Sequence, residues 1–177
     1  MKRVNKIVVV NKGKEKKMIF LDENGDELQE IIPVPESEVD QYTPVTHALA
    51  VIKVGEDYLM GFNHWQKAWE IFGGCIEESE TIRECIVREC REELGIEVTD
   101  FEYLGLMKCY LAPDYFSKEW RIEYGGLFGI TLREDELKKI WESNERDEEI
   151  EKVSLYKSIP KGEKIAGMDE KLLEYYK

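Results

Sequence analysis

Three glutamates, Glu89, Glu92 and Glu93, recur at i, i+3 and i+4 within the stretch Thr81–Leu94. At about 100° per residue, Ile82, Ile86, Cys90 and Leu94 sweep one face of a helix, with Cys85 just to its other side. Glu89 and Glu93 fall between Cys85 and Ile86, inside that apolar sector, and Glu92 lies at its margin. Arg83, Glu84 and Arg91 occupy the outer face. Three carboxylates are thus brought to the side that faces a core. Gathering like charges out of water is costly and raises their pKa values. A hard divalent cation removes that cost, because Mg²⁺ prefers carboxylate oxygens and water. The angular argument leaves two readings open: a metal site, and the solvated acidic face that most charge runs form.

Other residues with chemical potential carry less. Asp22, Asn24 and Asp26 alternate as in a calcium loop, but Glu27 stands where that loop needs Gly and Pro33 where it needs Glu. The four cysteines, Cys75, Cys85, Cys90 and Cys109, form no C-x-x-C pair, and His47 and His64 complete no zinc spacing. Cys85 and Cys90 read as small buried hydrophobes in a reducing compartment.

The elements that must position the glutamates follow from periodicity and punctuation. The helix over 81–94 is stopped by Gly95. Before it, Trp69–Phe72 reads as a short strand ending at Gly73-Gly74, preceded by strands Thr46–Val54 and Tyr58–Phe62 around a Gly55 turn. The nearly continuous apolar run 46–54 predicts a strand covered on both faces. Phe101–Leu111, Arg121–Leu132 and Glu149–Tyr156 read as further strands, Glu134–Ser143 and Asp169–Tyr176 as helices. Upstream lies Ile7–Val10, a short β-branched run, and a hairpin, Lys17–Leu21 with Leu28–Val34, around Asn24-Gly25. Pro33, Pro35 and Pro44 mark 33–44 as a linker. The fold class is therefore α+β, with a β extension and linker over 1–43 and a main domain over 44–177.

At 177 residues the chain has room for one such domain and a small extension. Lys+Arg 25 against Asp+Glu 38 gives a formal net charge of −13. That charge disfavours non-specific nucleic-acid binding and attachment to anionic membranes. The apolar run after Met1-Lys2-Arg3 is too short for a signal peptide, and no stretch approaches a membrane span, so the expected location is the cytoplasm.

The wider spacing around the helix is more specific than the angles. Gly74, five residues, Glu80, seven residues, Arg88-Glu89-Cys90, one residue, Glu92-Glu93, one residue, Gly95-Ile96 resembles the signature box of the Nudix hydrolase family. Cys90 takes a place usually held by an aliphatic residue, and Phe72 precedes the glycines where Pro is common. The resemblance implies an α-β-α sandwich with a mixed sheet that hydrolyses a nucleoside diphosphate linked to another group. It implies Mg²⁺, with Mn²⁺ as a substitute, held by Glu89, Glu92, Glu93 and the Gly73 carbonyl and supported by Glu80. Arg88 would orient a box glutamate. The general base stays open between Glu89 and the later loop Asp147-Glu148-Glu149, where Glu149 is the candidate and a solvated acidic loop the competing reading. Trp69, Phe72, Tyr115 and Trp120 are the candidates to bind a base, the other reading for each being core. The partner implied is a small nucleotide, either a triphosphate or an ADP-ribose-like nucleotide sugar. Pro113 and the N-terminal strands are weak signs of the ADP-ribose subfamily, in which such strands build a homodimer. The competing function is a Nudix-fold sensor that binds a nucleotide without cleaving it. Such proteins usually lose box glutamates, and this chain retains all of them.

Overall fold

Strand β3 (Val45–Val54) alternates between two cores. Ala48, Ala50, Ile52 and Val54 join one buried cluster, while Leu49 and Val51 pack in the other. A strand buried on both sides must be apolar throughout, which is why 46–54 shows no polar alternation. The computed structural model describes residues 18–177; the expected strand Ile7–Val10 lies outside them.

Around β3 the described residues form β1 (Phe20–Leu21), β2 (Glu27–Ile32), β4 (Asp57–Asn63), β5 (Ala68–Glu70), β6 (Phe72–Cys75), β7 (Glu102–Leu111), β8 (Arg121–Leu132) and β9 (Ile150–Leu155). The sheet runs β1-β2-β7-β8-β3-β4-β5, with β6 also on β3 and β9 also on β4. The β3–β8 pair is parallel and the others are antiparallel, so the sheet is mixed. Helices α1 (Ile82–Leu94) and α2 (Glu134–Glu142) cover one face through Ile82, Ile86, Cys90, Leu94, Leu137 and Ile140. Helix α3 (Gly167–Leu172) covers the other through Leu172. This is the α-β-α layering of an α+β fold.

Helix α1 is fixed at both ends by its sequence. The Thr81 hydroxyl accepts the Glu84 amide N–H at 3.2 Å, and the Glu84 carboxylate accepts the Thr81 amide N–H at 2.8 Å. Such a cap contributes about 0.5–2 kcal/mol. Gly95 ends the helix in the left-handed region at φ 68°.

Three elements differ from expectation. The single strand expected over 69–72 is two strands broken at Ile71, whose amide leaves the ladder to donate to Asp169 at 3.0 Å. The glycines then lie inside β6, where Gly73 has φ +133° and a Cβ would overlap the Ala48 carbonyl oxygen. Residues 33–44, read as a linker from their prolines, carry a 3₁₀ turn over Glu36–Gln41 that buries Val39 in the α1 core. The N-terminal hairpin does not stand apart: Leu28 pairs with Cys109 and Ile31 with Met107, and Leu28 is fully buried. All four cysteines are unpaired, and Cys85, Cys90 and Cys109 are buried. No helix among the described residues is long and apolar enough to cross a membrane.

Candidate active site

Helix α1 packs over β6 and β3, which sets Glu93 against the Gly73 backbone. Glu93 is 1% exposed, and its carboxylate accepts the Gly73 amide N–H at 2.7 Å. Burial drives its pKa well up; the Gly73 N–H opposes this, and Glu89, Glu149 and Glu70 add repulsion. Glu89 lies against Gly74, where a Cβ would collide with its carboxylate. Its pKa is also raised by burial, against the pull of Arg88.

Arg88 is the cation of this cluster. Its guanidinium donates to Glu80 through Nε and Nη2 at 2.8 and 2.9 Å, to Glu89 at 2.8 Å and to Glu92 at 3.3 Å. A further N–H reaches the Cys75 carbonyl at 3.0 Å. The two-pronged bond holds the Glu80 carboxyl down at about 2. One positive charge thus faces Glu80, Glu89 and Glu92, while Glu93 has no cation among its partners in the described residues. Among the described residues no three His, Cys, Asp or Glu side chains converge as a ready metal-binding group. Glu89 and Glu92 are drawn onto Arg88 instead. The donor set still fits Mg²⁺ chemically: every candidate ligand is a hard oxygen, and Glu89 repels the buried Glu93.

Glu149 comes to the same cluster from the loop before β9. The loop is tied down where the Asp147 amide donates to the Glu92 carbonyl at 3.0 Å and the Asp147 carboxylate accepts the Glu149 amide at 3.0 Å. Burial raises the Glu149 pKa, Asn63 lowers it, and Asp147 and Glu89 raise it further. The buried Asn63 amide donates to Glu149 at 2.8 Å and to Glu70 at 2.6 Å, while its oxygen accepts the Trp65 and Gln66 amides.

Asn63, Glu70 and Asp169 were not singled out from sequence. Burial pushes Glu70 up to about 7, against the Asn63 bond and with help from Asp169 and Glu149. Burial likewise pushes Asp169 up to about 7 while it accepts the Ile71 amide. A lone glutamate between Trp69 and Ile71 was the available signal for Glu70. Asp169 had none, because its partner lies 98 residues away. Glu70, Asp169, Asn63 and Glu149 line a cleft of about 810 Å³.

The aromatic candidates lie elsewhere. Trp69 and Phe72 are 2% and 0% exposed. Trp69 packs edge-on against Phe62 and donates its indole N–H to Glu163; Phe72 belongs to the α1 core. Neither offers a ring face to a base, because strands this apolar place their large rings inward. Tyr115 is 89% exposed on the β7–β8 loop against Phe116, and Trp120 stacks on Tyr110 at 5.1 Å. Neither lines the cleft.

Residues 44–158 match the family model of the NUDIX domain. The chain is 34% identical over 77 residues to the RNA pyrophosphohydrolase of Hydrogenovibrio crunogenus, covering 44% of this chain and 46% of that one. It is 56% identical over 37 residues to the CTP pyrophosphohydrolase of Escherichia coli, covering 21% and 27%. The chain therefore spans less than half the length of these curated relatives. A mutant of the Bacillus subtilis pyrophosphohydrolase BsRppH superposes with TM-score 0.58 at 18% identity, over 84% of this chain and 85% of that one, a likeness of fold.

Proposed function

The chain belongs to the Nudix family, and from that premise we propose that it is a divalent-metal-dependent pyrophosphohydrolase cleaving a nucleoside diphosphate linked to another group. The observation that carries this reading is the carboxylate cluster of the buried Glu93 with the part-buried Glu89, Glu149 and Glu70, whose mutual repulsion the Arg88 guanidinium offsets at Glu89. Such a cluster is costly in an apo fold, and binding a cation relieves it.

In this reading Glu89, Glu92 and Glu93, with the Gly73 carbonyl, hold Mg²⁺ or Mn²⁺. When bound, the ion neutralises the diphosphate oxygens and acidifies water. Glu80 holds Arg88, and Arg88 positions Glu89 and Glu92. Glu149 takes the proton of the attacking water; its raised pKa makes it a stronger base than an exposed carboxylate. Asn63 fixes the Glu149 carboxylate from behind by donating to Oε1 at 2.8 Å. The catalytic unit is residues 44–177, and the described part of the preceding extension adds strands to its sheet. The substrate is a small nucleotide rather than a long RNA, since a net charge of −13 opposes a polyanionic chain.

A panel of nucleoside triphosphates, ADP-ribose and dinucleoside polyphosphates, incubated with Mg²⁺ and resolved by chromatography, tests this. Nucleoside monophosphate with pyrophosphate identifies a triphosphate substrate, and AMP with ribose phosphate identifies ADP-ribose. Binding without hydrolysis of any member would favour the sensor reading.

A further inference from the structure

Three strands converge at one side chain. Asn63 ends β4, where it pairs with Ala68 of β5 and with Ile150 of β9. The sheet thereby carries Glu70, the last residue of β5, and Glu149, just before β9, to the same amide. Asn63 Nδ2 donates to Glu70 Oε1 at 2.6 Å and to Glu149 Oε1 at 2.8 Å. Its oxygen accepts the Trp65 and Gln66 amides, each at 2.9 Å. Every hydrogen-bonding position of the amide is therefore used, on a side chain of a residue only 3% exposed. The network admits one orientation. A flip would aim the oxygen at two carboxylates and the N–H groups at two N–H donors, leaving buried polar groups unmatched.

The β4–β5 turn is held closed by the same residue. The Lys67 amide donates to the Asn63 carbonyl at 2.9 Å, and Lys67 sits in the left-handed region at φ 54°, which a non-glycine residue adopts only when its surroundings impose it. The turn is also fastened to the Glu149 segment, because the His64 amide donates to the Glu149 carbonyl at 2.7 Å. Glu149 is thus gripped at its backbone and at its carboxylate from one turn.

We propose that Asn63 and Glu70 are positioning residues for the attack of water: Glu70 and the turn amides lock the Asn63 amide, and Asn63 holds the Glu149 carboxylate. The inference rests on the pyrophosphohydrolase reading, in which Glu149 takes the proton. A general base must stay within hydrogen-bond reach of its water, and a misplacement of about 1 Å costs on the order of 100-fold in rate. Asn63 occupies Glu149 Oε1 and leaves Oε2 without a hydrogen bond among the described residues, so Oε2 is the oxygen presented to the water. Burial disfavours the charged form of both glutamates, and the Asn63 bond opposes it at each. Glu70 acts only through Asn63.

Steady-state kinetics with Mg²⁺ and the best-cleaved nucleotide test this. Asn63→Asp keeps an oxygen for the turn amides and removes both donors. Its kcat falls about 10–100-fold, the loss of a hydrogen bond to a charged group, while KM stays within about threefold. The rise of Tm in Mg²⁺ is retained, because no proposed metal ligand is touched. Glu70→Leu costs less, about 2–10-fold in kcat, since the turn amides still orient the oxygen. Glu70→Gln, which keeps an acceptor, recovers most of that loss. In a Glu149→Gln background neither Asn63→Asp nor Glu70→Leu lowers kcat further. Parental kcat in Asn63→Asp or Glu70→Leu, or a loss undiminished in Glu149→Gln, overturns the proposal. NMR of isotope-labelled protein reads the clamp without turnover and serves if Asn63→Asp does not fold. The two Asn63 side-chain N–H signals lie downfield and exchange slowly; Glu70→Leu moves one and Glu149→Gln the other. Hydrolysis by a parent whose Asn63 signals are those of an exposed amide sinks the clamp alone. Clamped signals with no hydrolysis of any nucleotide sink the hydrolase reading, and the positioning role with it.

Discussion

Replacing Glu93 by Gln changes one atom type at a buried position and separates metal binding from folding. The amide oxygen can still accept the Gly73 N–H now bonded at 2.7 Å, so the α1–β6 contact survives. What disappears is a carboxyl whose pKa burial and the charges of Glu89, Glu149 and Glu70 drive well up. Without metal, Glu93→Gln is therefore at least as stable as the parent near neutral pH. With metal the order reverses. A ligand at 100 times its dissociation constant stabilises by about 2.7 kcal/mol. For a chain of 177 residues each kcal/mol moves Tm by about 2–4 °C, so the parent gains about 5–11 °C in saturating Mg²⁺. The variant gains little. Loss even of an outer-shell partner of a metal costs about 10–100-fold, so removal of a ligand charge lowers kcat/KM by at least about 100-fold. Calorimetric melts with and without Mg²⁺, beside a phosphate-release assay, read both effects. Equal Mg²⁺ shifts in parent and variant, or full activity in the variant, would refute the assignment of Glu93 as a ligand.

Two further outcomes follow from the geometry. Gly73→Ala forces a side chain onto the Ala48 carbonyl at φ +133°, so it lowers Tm by more than about 5 °C, on the order of 2 kcal/mol or more, read by thermal denaturation; a neutral effect would contradict the β3–β6 register. Glu70 and Asp169, both pushed up to about 7, bind protons more tightly folded than unfolded, so their favourable contribution is full below the ordinary carboxylate range and is lost as pH rises towards 7. Metal-free protein is accordingly more stable near pH 5.5 than near pH 8, and Asp169→Asn flattens that difference in melts taken across the range.

Local features of the site were legible and distant ones were not. Thr81, Glu84 and Gly95 fix α1, and the spacing of Ile82, Ile86 and Cys90 put Glu93 inward; all of that is written within the consecutive residues 81–95. The doubly covered β3 was equally plain from its apolar run. The break at Ile71 was not, because it is caused by Asp169 arriving from α3. The β2–β7 pairing was hidden for the same reason, with Leu28 and Cys109 too far apart for any local pattern to link them. Trp69 and Phe72 show the limit of composition: an aromatic that could stack a base and one that fills a core look alike until burial distinguishes them.

The guanidinium of Arg88, shared by Glu80, Glu89 and Glu92, acts as a resident counter-ion. It lets α1 fold against the sheet before any metal is present, so chelation should leave the protein intact, unlike a structural zinc domain. At the proposed metal site an incoming cation would compete with that guanidinium for Glu89 and Glu92. It would therefore gain less than in an empty carboxylate cage, exchange readily with solution, and be best retained when a diphosphate supplies further oxygens. In that reading Arg88 makes the site loadable on demand rather than permanently charged.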